Sequence, residues 1–216
     1  MITETKQATL RGLFGAPIYE SNIERPYTKE ELIFFEDSKK HLLKNPIEDG
    51  NSWTGKNKKG RYILELEKLS GLKKDIMEHV NAYFEKIYSP TTDCSVYITQ
   101  SWINYTEEKQ RHHIHLHGNS LISGVLYINA DIDFDSITFY KREIDQTIQI
   151  LPKEWNEFNS FEWNFPMKTG NIVLFPSNLK HGVKQKEGKN IRASLAFNTF
   201  VRGVLGNEDR ATELRL

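Results

Sequence analysis

The sequence predicts a mainly β chain with two helices at its N-terminal end, folded as a two-sheet sandwich or jelly roll. Three observations carry this expectation. A helix-start signal and a 3.6-residue apolar period occupy residues 27–90 and then stop. From Val96 onward the period becomes 2, with β-branched and aromatic residues at alternate positions. At 216 residues the chain suits one core of ordinary size. Residues 1–216 therefore read as a single domain, with 27–90 as helical support and 95–201 as the β-core.

Each element follows from a local signal. Leu13–Tyr19 is apolar but broken by Gly15 and Pro17, which suits an edge strand. Thr28 with Glu31 three residues on has the form of a capping box, and a helix from there should reach about Leu43, short of Pro46. Residues 48–61 are polar and contain glycine, so they read as a loop; Tyr62–Leu64 reads as a short strand or turn. Ser70 is the expected N-cap of a second helix, with Leu72, Ile76, Val80, Phe84 and Ile87 on one face and an end near Tyr88, ahead of Pro90. Strands are expected at 95–105, 111–117, 121–129, 136–141, 146–151, 160–164, 171–176, 180–185 and 191–201, with 203–216 a helix or tail. Helices can then back one face of the sandwich and leave its mouth for a ligand.

Charge narrows the possible partners. Lys+Arg and Asp+Glu both number 29, so the net charge is zero. A dedicated nucleic-acid or anionic-membrane binder would show a basic excess. The one basic run, Lys56–Arg61, lies in the polar segment and reads as a solvated loop. The single cysteine, Cys94, has no internal disulfide partner. Met1–Leu13 carries Glu4, Lys6 and Arg11, unlike a signal peptide, and no run approaches the ~18 apolar residues of a membrane span. A soluble, cytoplasmic protein is expected.

The chemistry concentrates in one stretch. Four of the seven histidines, His112, His113, His115 and His117, fall within six residues. His113, His115 and His117 alternate with Ile114 and Leu116, so a strand here turns three imidazoles to one side and two aliphatics to the other. His181 follows much later in a His-Gly-Val sequence, and Arg192 and Ser194 form an Arg-x-Ser pair eleven residues beyond it. Imidazole is the commonest side-chain ligand for a transition metal near neutral pH. His115, His117 and His181 suit three corners of an open metal site of the facial-triad type, with His117 where a carboxylate is usual. Three neutral imidazoles make such a site one unit more positive than the usual triad. A His-rich surface strand is the bland alternative, and a structural zinc site the other. A closed zinc site typically draws on several cysteines, and this chain has one.

Beyond that logic, the chain resembles the 2-oxoglutarate/Fe(II)-dependent dioxygenase superfamily, and most closely oxygenases of bacteria and of cyanobacterial phages. The resemblance rests on Ser101-Trp102-Ile103-Asn104, on His115 to Tyr127, on Gly170 to Ser177, on His181-Gly182-Val183 and on Arg192 to Asn198. It implies a double-stranded β-helix, the jelly roll also seen in cupins. It implies Fe(II) held by His115, His117 and His181, with a shifted register through His113 as the alternative. It further implies 2-oxoglutarate and O2 as co-substrates, the far carboxylate of 2-oxoglutarate being held by Arg192 and Ser194. Asn104 and Tyr127 would lie near that co-substrate. The guanidinium supports this independently, because its planar fork matches a carboxylate and Ser194 lies on the same strand face. The activity implied is hydroxylation of a small-molecule or peptide substrate with release of succinate and CO2. Two other readings stand beside it: a three-histidine iron dioxygenase that does not use 2-oxoglutarate, and a non-catalytic jelly-roll binding or structural module. Trp102, Phe175 and Phe197 are expected in the core.

Overall fold

A computed structural model describes residues 15–90, 93–141 and 150–216. Strand β1 (Tyr19–Asn22) leads into helix α1 (Lys29–Ser38), then the short strands β2 (Leu43–Lys44) and β3 (Ser52–Trp53) and helix α2 (Ser70–Tyr88). The β-run follows: β4 (Cys94–Thr106), β5 (His112–His115), β6 (Ile122–Asn129), β7 (Ser136–Tyr140), β8 (Glu162–Pro166), β9 (Asn171–Pro176), β10 (His181–Val183), β11 (Arg192–Leu205) and β12 (Leu214–Arg215).

The strands form two antiparallel sheets. The larger runs β1-β9-β6-β11-β4-β3-β2, with β12 beside β11, and the smaller runs β5-β10-β7-β8. Between β4 and β11 the chain visits them in the order large, small, large, small, small, large, small, large. This repeated crossing is the double-stranded β-helix, or jelly roll. Among the described residues no helix is long and apolar enough to cross a membrane.

The first helix begins as its sequence dictates. Thr28 accepts from Glu31 N while Glu31 accepts from Thr28 N, the complete capping box. The first helix is shorter than expected, because a 3₁₀ turn at Lys39–His41 and an extended Leu42 deliver the chain to β2. Ser70 is the first residue of α2 rather than its cap, because a 3₁₀ turn at Glu67–Leu69 runs straight into the helix. Leu72, Ile76, Val80 and Phe84 are buried as the period predicts, whereas Ile87 lies on the exposed last turn. Full burial of each such aliphatic contributes roughly 1.5–3 kcal/mol.

The period-2 pattern of the large sheet divides its residues between two cores. Ile103 and Tyr105 of β4, Leu126 and Ile128 of β6, and Ala193, Leu195 and Phe197 of β11 pack toward the helices. Alternate residues on the same strands face the small sheet. There Tyr127, Val173 and Phe175 meet Ile137 and Phe139 in a second core between the sheets. With both faces covered, these central strands read as almost continuous apolar runs.

Other expectations were revised by tertiary contacts. The loop 48–61 contains β3, which pairs with β4, while Tyr62–Leu64 takes the turn of its two expected forms, leading into a 3₁₀ turn. The C-terminal tail turns back as β12 on β11. Trp102 is only partly buried and lines the cleft between the sheets, whereas Phe175 and Phe197 are core as expected. The strand expected at 146–151 lies mostly outside the described residues, as do Leu13 and Phe14; Ile150 and Leu151 are exposed and not in a strand.

Candidate metal and co-substrate site

The cleft opens between the two sheets. Trp102 and Asn104 of β4, Val125 and Tyr127 of β6, and Arg192, Ser194 and Ala196 of β11 line it from the large sheet. His115, His181 and Ile137 line it from the small sheet, joined by His112, His117 and Asn51. Arg192 and Ser194 share a face because they are two residues apart on β11, and Ser194 is paired with both Asn104 and Tyr127 across the ladder.

The histidines come together through strand pairing. His115 lies opposite His181 in the β5–β10 ladder, with ring centroids 4.4 Å apart. The His117 ring is 4.9 Å from that of His115 and 5.1 Å from that of His181. One ring nitrogen from each lies within 4.8 Å of the others. His115 Nδ1 donates to His113 O at 2.8 Å, and His181 Nδ1 donates to Leu179 O at 3.0 Å. Each bond fixes a ring and leaves Nε2 as the free electron pair, the arrangement by which outer hydrogen bonds orient metal-binding imidazoles. His117 sits just past the end of β5 and is anchored by its backbone N–H to Ser177 O at 2.9 Å. Asn119, with φ of 55°, makes the turn that follows, in the left-handed region that asparagine tolerates best after glycine. Beneath the turn, the hydroxyls of Ser123, Ser177 and Ser120 form a chain at 2.8 and 2.7 Å.

One member of the cleft was not read from the sequence. Strict alternation puts His112 on the face opposite His115. A register shift lies between the pairs His181↔His115 and Val183↔His112, so three residues of β5 match two of β10. This bulge turns His112 into the cleft while His113 stays exposed. His112 Nδ1 bonds Asn51 Oδ1 at 2.7 Å, and Asn51 Nδ2 donates to Asn104 Oδ1 at 3.2 Å. Nothing local in the polar loop marked Asn51; β3 carries it against β4. His112, His113 and His115 also have nitrogens within 4.8 Å of one another. Gly182 makes the close strand approach possible, since a Cβ there would lie 3.2 Å from the carbonyl oxygens of His112 and His113.

Electrostatically the cleft is built for an anion. Burial first, and then neighbouring imidazoles, push His117 down to about 4, His181 to about 3 and His112 to about 2, and burial lowers His115 as well. These rings are therefore neutral near pH 7 and free to ligate. No carboxylate is among the residues that line the cleft. Arg192 is 3% exposed, and its Nη2 donates to Thr106 Oγ1 at 2.9 Å and Nη1 to Ser136 O at 3.3 Å. Its Nε is buried with no hydrogen-bond partner, and no ion pair among the described residues includes it. Burial pulls the guanidinium below its ordinary value. Tyr127 is 1% exposed, and burial pushes its hydroxyl up to about 12, so it stays protonated and able to donate.

This donor set fits a divalent transition metal with open positions beside it, and the guanidinium, which lacks an ion-pair partner among the described residues, fits the carboxylate of a bound anion. Residues 100–198 match the family model described as "Putative 2OG-Fe(II) oxygenase". The match runs from within β4 into β11 and so covers most of the β-core. Solved structures share this fold. One is HygX from Streptomyces hygroscopicus, solved with nickel, 2-oxoglutarate and hygromycin B. It is 10% identical with a TM-score of 0.55, over 85% of this chain and 82% of that one. Another is the viral collagen prolyl hydroxylase of Paramecium Bursaria Chlorella virus-1 in its 2OG complex. It is 11% identical with a TM-score of 0.53, over 84% of this chain and 94% of that one. A third is an oxidoreductase of the 2OG-Fe(II) oxygenase family from Burkholderia pseudomallei, 12% identical with a TM-score of 0.51, over 80% and 79% of the two chains. No curated protein sequence matches this one.

Proposed function

We propose that this protein is a 2-oxoglutarate/Fe(II)-dependent oxygenase that hydroxylates a small-molecule or peptide substrate, using Fe(II) held by His115, His117 and His181. The observation that carries this reading is the pairing of three convergent neutral imidazoles with a buried guanidinium that has no ion-pair partner among the described residues, on the same cleft. Bound there, iron with 2-oxoglutarate and O2 supplies the oxidising chemistry, which converts 2-oxoglutarate to succinate and CO2 and delivers one oxygen atom to the substrate C–H bond.

The chain's own residues bind, orient and exclude water. Arg192 takes the far carboxylate of 2-oxoglutarate, its fork already aimed by Thr106 and the Ser136 carbonyl. Ser194 and Tyr127 offer hydroxyls that bond no other described residue, so both are available to the same anion. Asn104 is held by Asn51 and steadies the cleft wall. Phe175 and Phe139 pack on His181, with ring centroids 4.6 and 6.3 Å away, and keep water from its outer side. We take residues 1–216 as one domain, working in the cytoplasm without nucleic-acid or membrane partners.

A second reading draws on the all-imidazole donor set: a three-histidine iron dioxygenase indifferent to 2-oxoglutarate. The two are separated by titrating anaerobic Fe(II)-loaded protein with 2-oxoglutarate and recording the visible charge-transfer band. A band that is absent from His181→Ala supports the first reading. Iron binding without a band supports the second.

A further inference from the structure

Paired with Asp135, next in sequence to the Ser136 that Arg192 bonds, is a second buried cation that the proposed mechanism does not use. Lys186 and Asp135 form an ion pair at 2.8 Å, with side chains 1% and 0% exposed. Lys186 Nζ also donates to Asn190 Oδ1 at 2.7 Å, and Asn190 Nδ2 donates to Asp135 Oδ2 at 2.8 Å. Asp131 N adds a further bond to Asp135 Oδ2 at 2.9 Å, so both carboxylate oxygens are engaged. The triangle ties the β6–β7 turn to the β10–β11 loop. That loop is pinned from the other side by Lys186 N to Gln110 O and Lys109 N to Lys186 O, at 2.9 and 2.7 Å.

Asp135 immediately precedes Ser136, whose carbonyl accepts from Arg192, and its charge is felt at the guanidinium. A buried carboxylate one residue from a guanidinium's hydrogen-bond partner is a natural candidate for a bidentate pair with it. Here both of its oxygens are instead taken by Lys186, Asn190 and Asp131 N. The three groups, Asp135, Lys186 and Arg192, carry one net positive charge, which a single incoming carboxylate neutralises. Without Lys186, Arg192 and Asp135 would neutralise each other, and an incoming carboxylate would be an uncompensated buried anion.

We propose that Lys186 is a positioning residue for co-substrate binding: by holding Asp135 it keeps Arg192 free for the carboxylate of 2-oxoglutarate. The inference rests on the assignment of Arg192 made above. Calorimetric titration of anaerobic, Fe(II)-loaded protein with 2-oxoglutarate tests it, beside thermal melts of each variant. Lys186→Met should raise the Kd on the order of tenfold, and adding Asp135→Asn to it should restore the Kd to within about threefold of the parent. Asp135→Asn alone should bind 2-oxoglutarate as tightly as the parent or more so, and it decides the matter should Lys186→Met fail to fold. A folded Lys186→Met with parental Kd overturns the proposal. So does a double variant as weak as the single one, or an Asp135→Asn variant weakened tenfold. A parent that binds no 2-oxoglutarate, or an Arg192→Ala variant with parental Kd, removes the assignment of Arg192 and this inference with it. Loss in Arg192→Ala beside parental binding in Lys186→Met removes the inference alone.

Discussion

His115 and His181 stand opposite each other in the β5–β10 ladder, each with Nδ1 tied to a backbone carbonyl two residues earlier in its own chain. The symmetry is chemical: two imidazoles, each fixed in one tautomer, present Nε2 from adjacent strands before any ligand arrives. Preorganisation of this kind lets a site gain metal affinity without ordering its ligands at the moment of binding.

Removing a ligand should therefore act on metal occupancy more than on folding. His117→Ala and His181→Ala are expected to lose stoichiometric Fe(II) or Co(II) binding, while His113→Ala, whose ring lies outside the cleft, keeps it. Metal content after gel filtration is the readout. Loss of metal in His113→Ala with retention in His117→Ala would put the site at His112, His113 and His115 instead.

Arg192 should show opposite signs in two measurements. Its guanidinium is buried with no carboxylate partner among the described residues. Arg192→Met should weaken 2-oxoglutarate on the order of tenfold or more. The same change should leave the melting temperature of the ligand-free protein equal or higher, because a buried unpaired charge costs stability. A sharp fall in melting temperature would count against Arg192 as an uncompensated cation.

The buried histidines predict a pH dependence of stability. His117 and His181 fall from 6.5 to about 4 and about 3 on folding. Between those values the unfolded chain binds more protons than the folded one, so stability rises with pH there. Their contribution is complete above about 6.5 and is lost as pH falls toward the folded values, by up to roughly 1.4 kcal/mol per pH unit for each ring. Melts of metal-free protein at pH 7.5, 6 and 5 should show a steady decline. A flat profile across that range would contradict the burial of these rings.

Gly182 tests the strand approach. A methyl group there meets His112 O and His113 O at 3.2 Å and Ile114 Cα at 3.3 Å, all backbone. Gly182→Ala should destabilise the protein by about 1–3 kcal/mol and weaken metal binding, since β5 must move to relieve it. Chemical denaturation paired with a metal titration reads both effects; stability and affinity equal to the parent would show that the small sheet tolerates a wider spacing.

The sequence by itself determined the class of fold, because periodicity follows from which faces must be buried. The helix face of Leu72, Ile76, Val80 and Phe84 was readable, as was the alternation that sends Arg192 and Ser194 to one side of β11 and Leu195 and Phe197 to the other. The histidine cluster was readable too, since His115 and His117 lie two residues apart. Only the tertiary structure decided what depends on contacts between distant segments. The bulge that admits His112 and leaves His113 outside comes from the register between β5 and β10. Asn51 enters the site because β3 pairs with β4, and Trp102 lines the cleft because its face of β4 meets the small sheet rather than the helices. Asp135 and Lys186 were silent for the same reason: they lie 51 residues apart, and a charge becomes an ion pair only where folding removes the water between its partners.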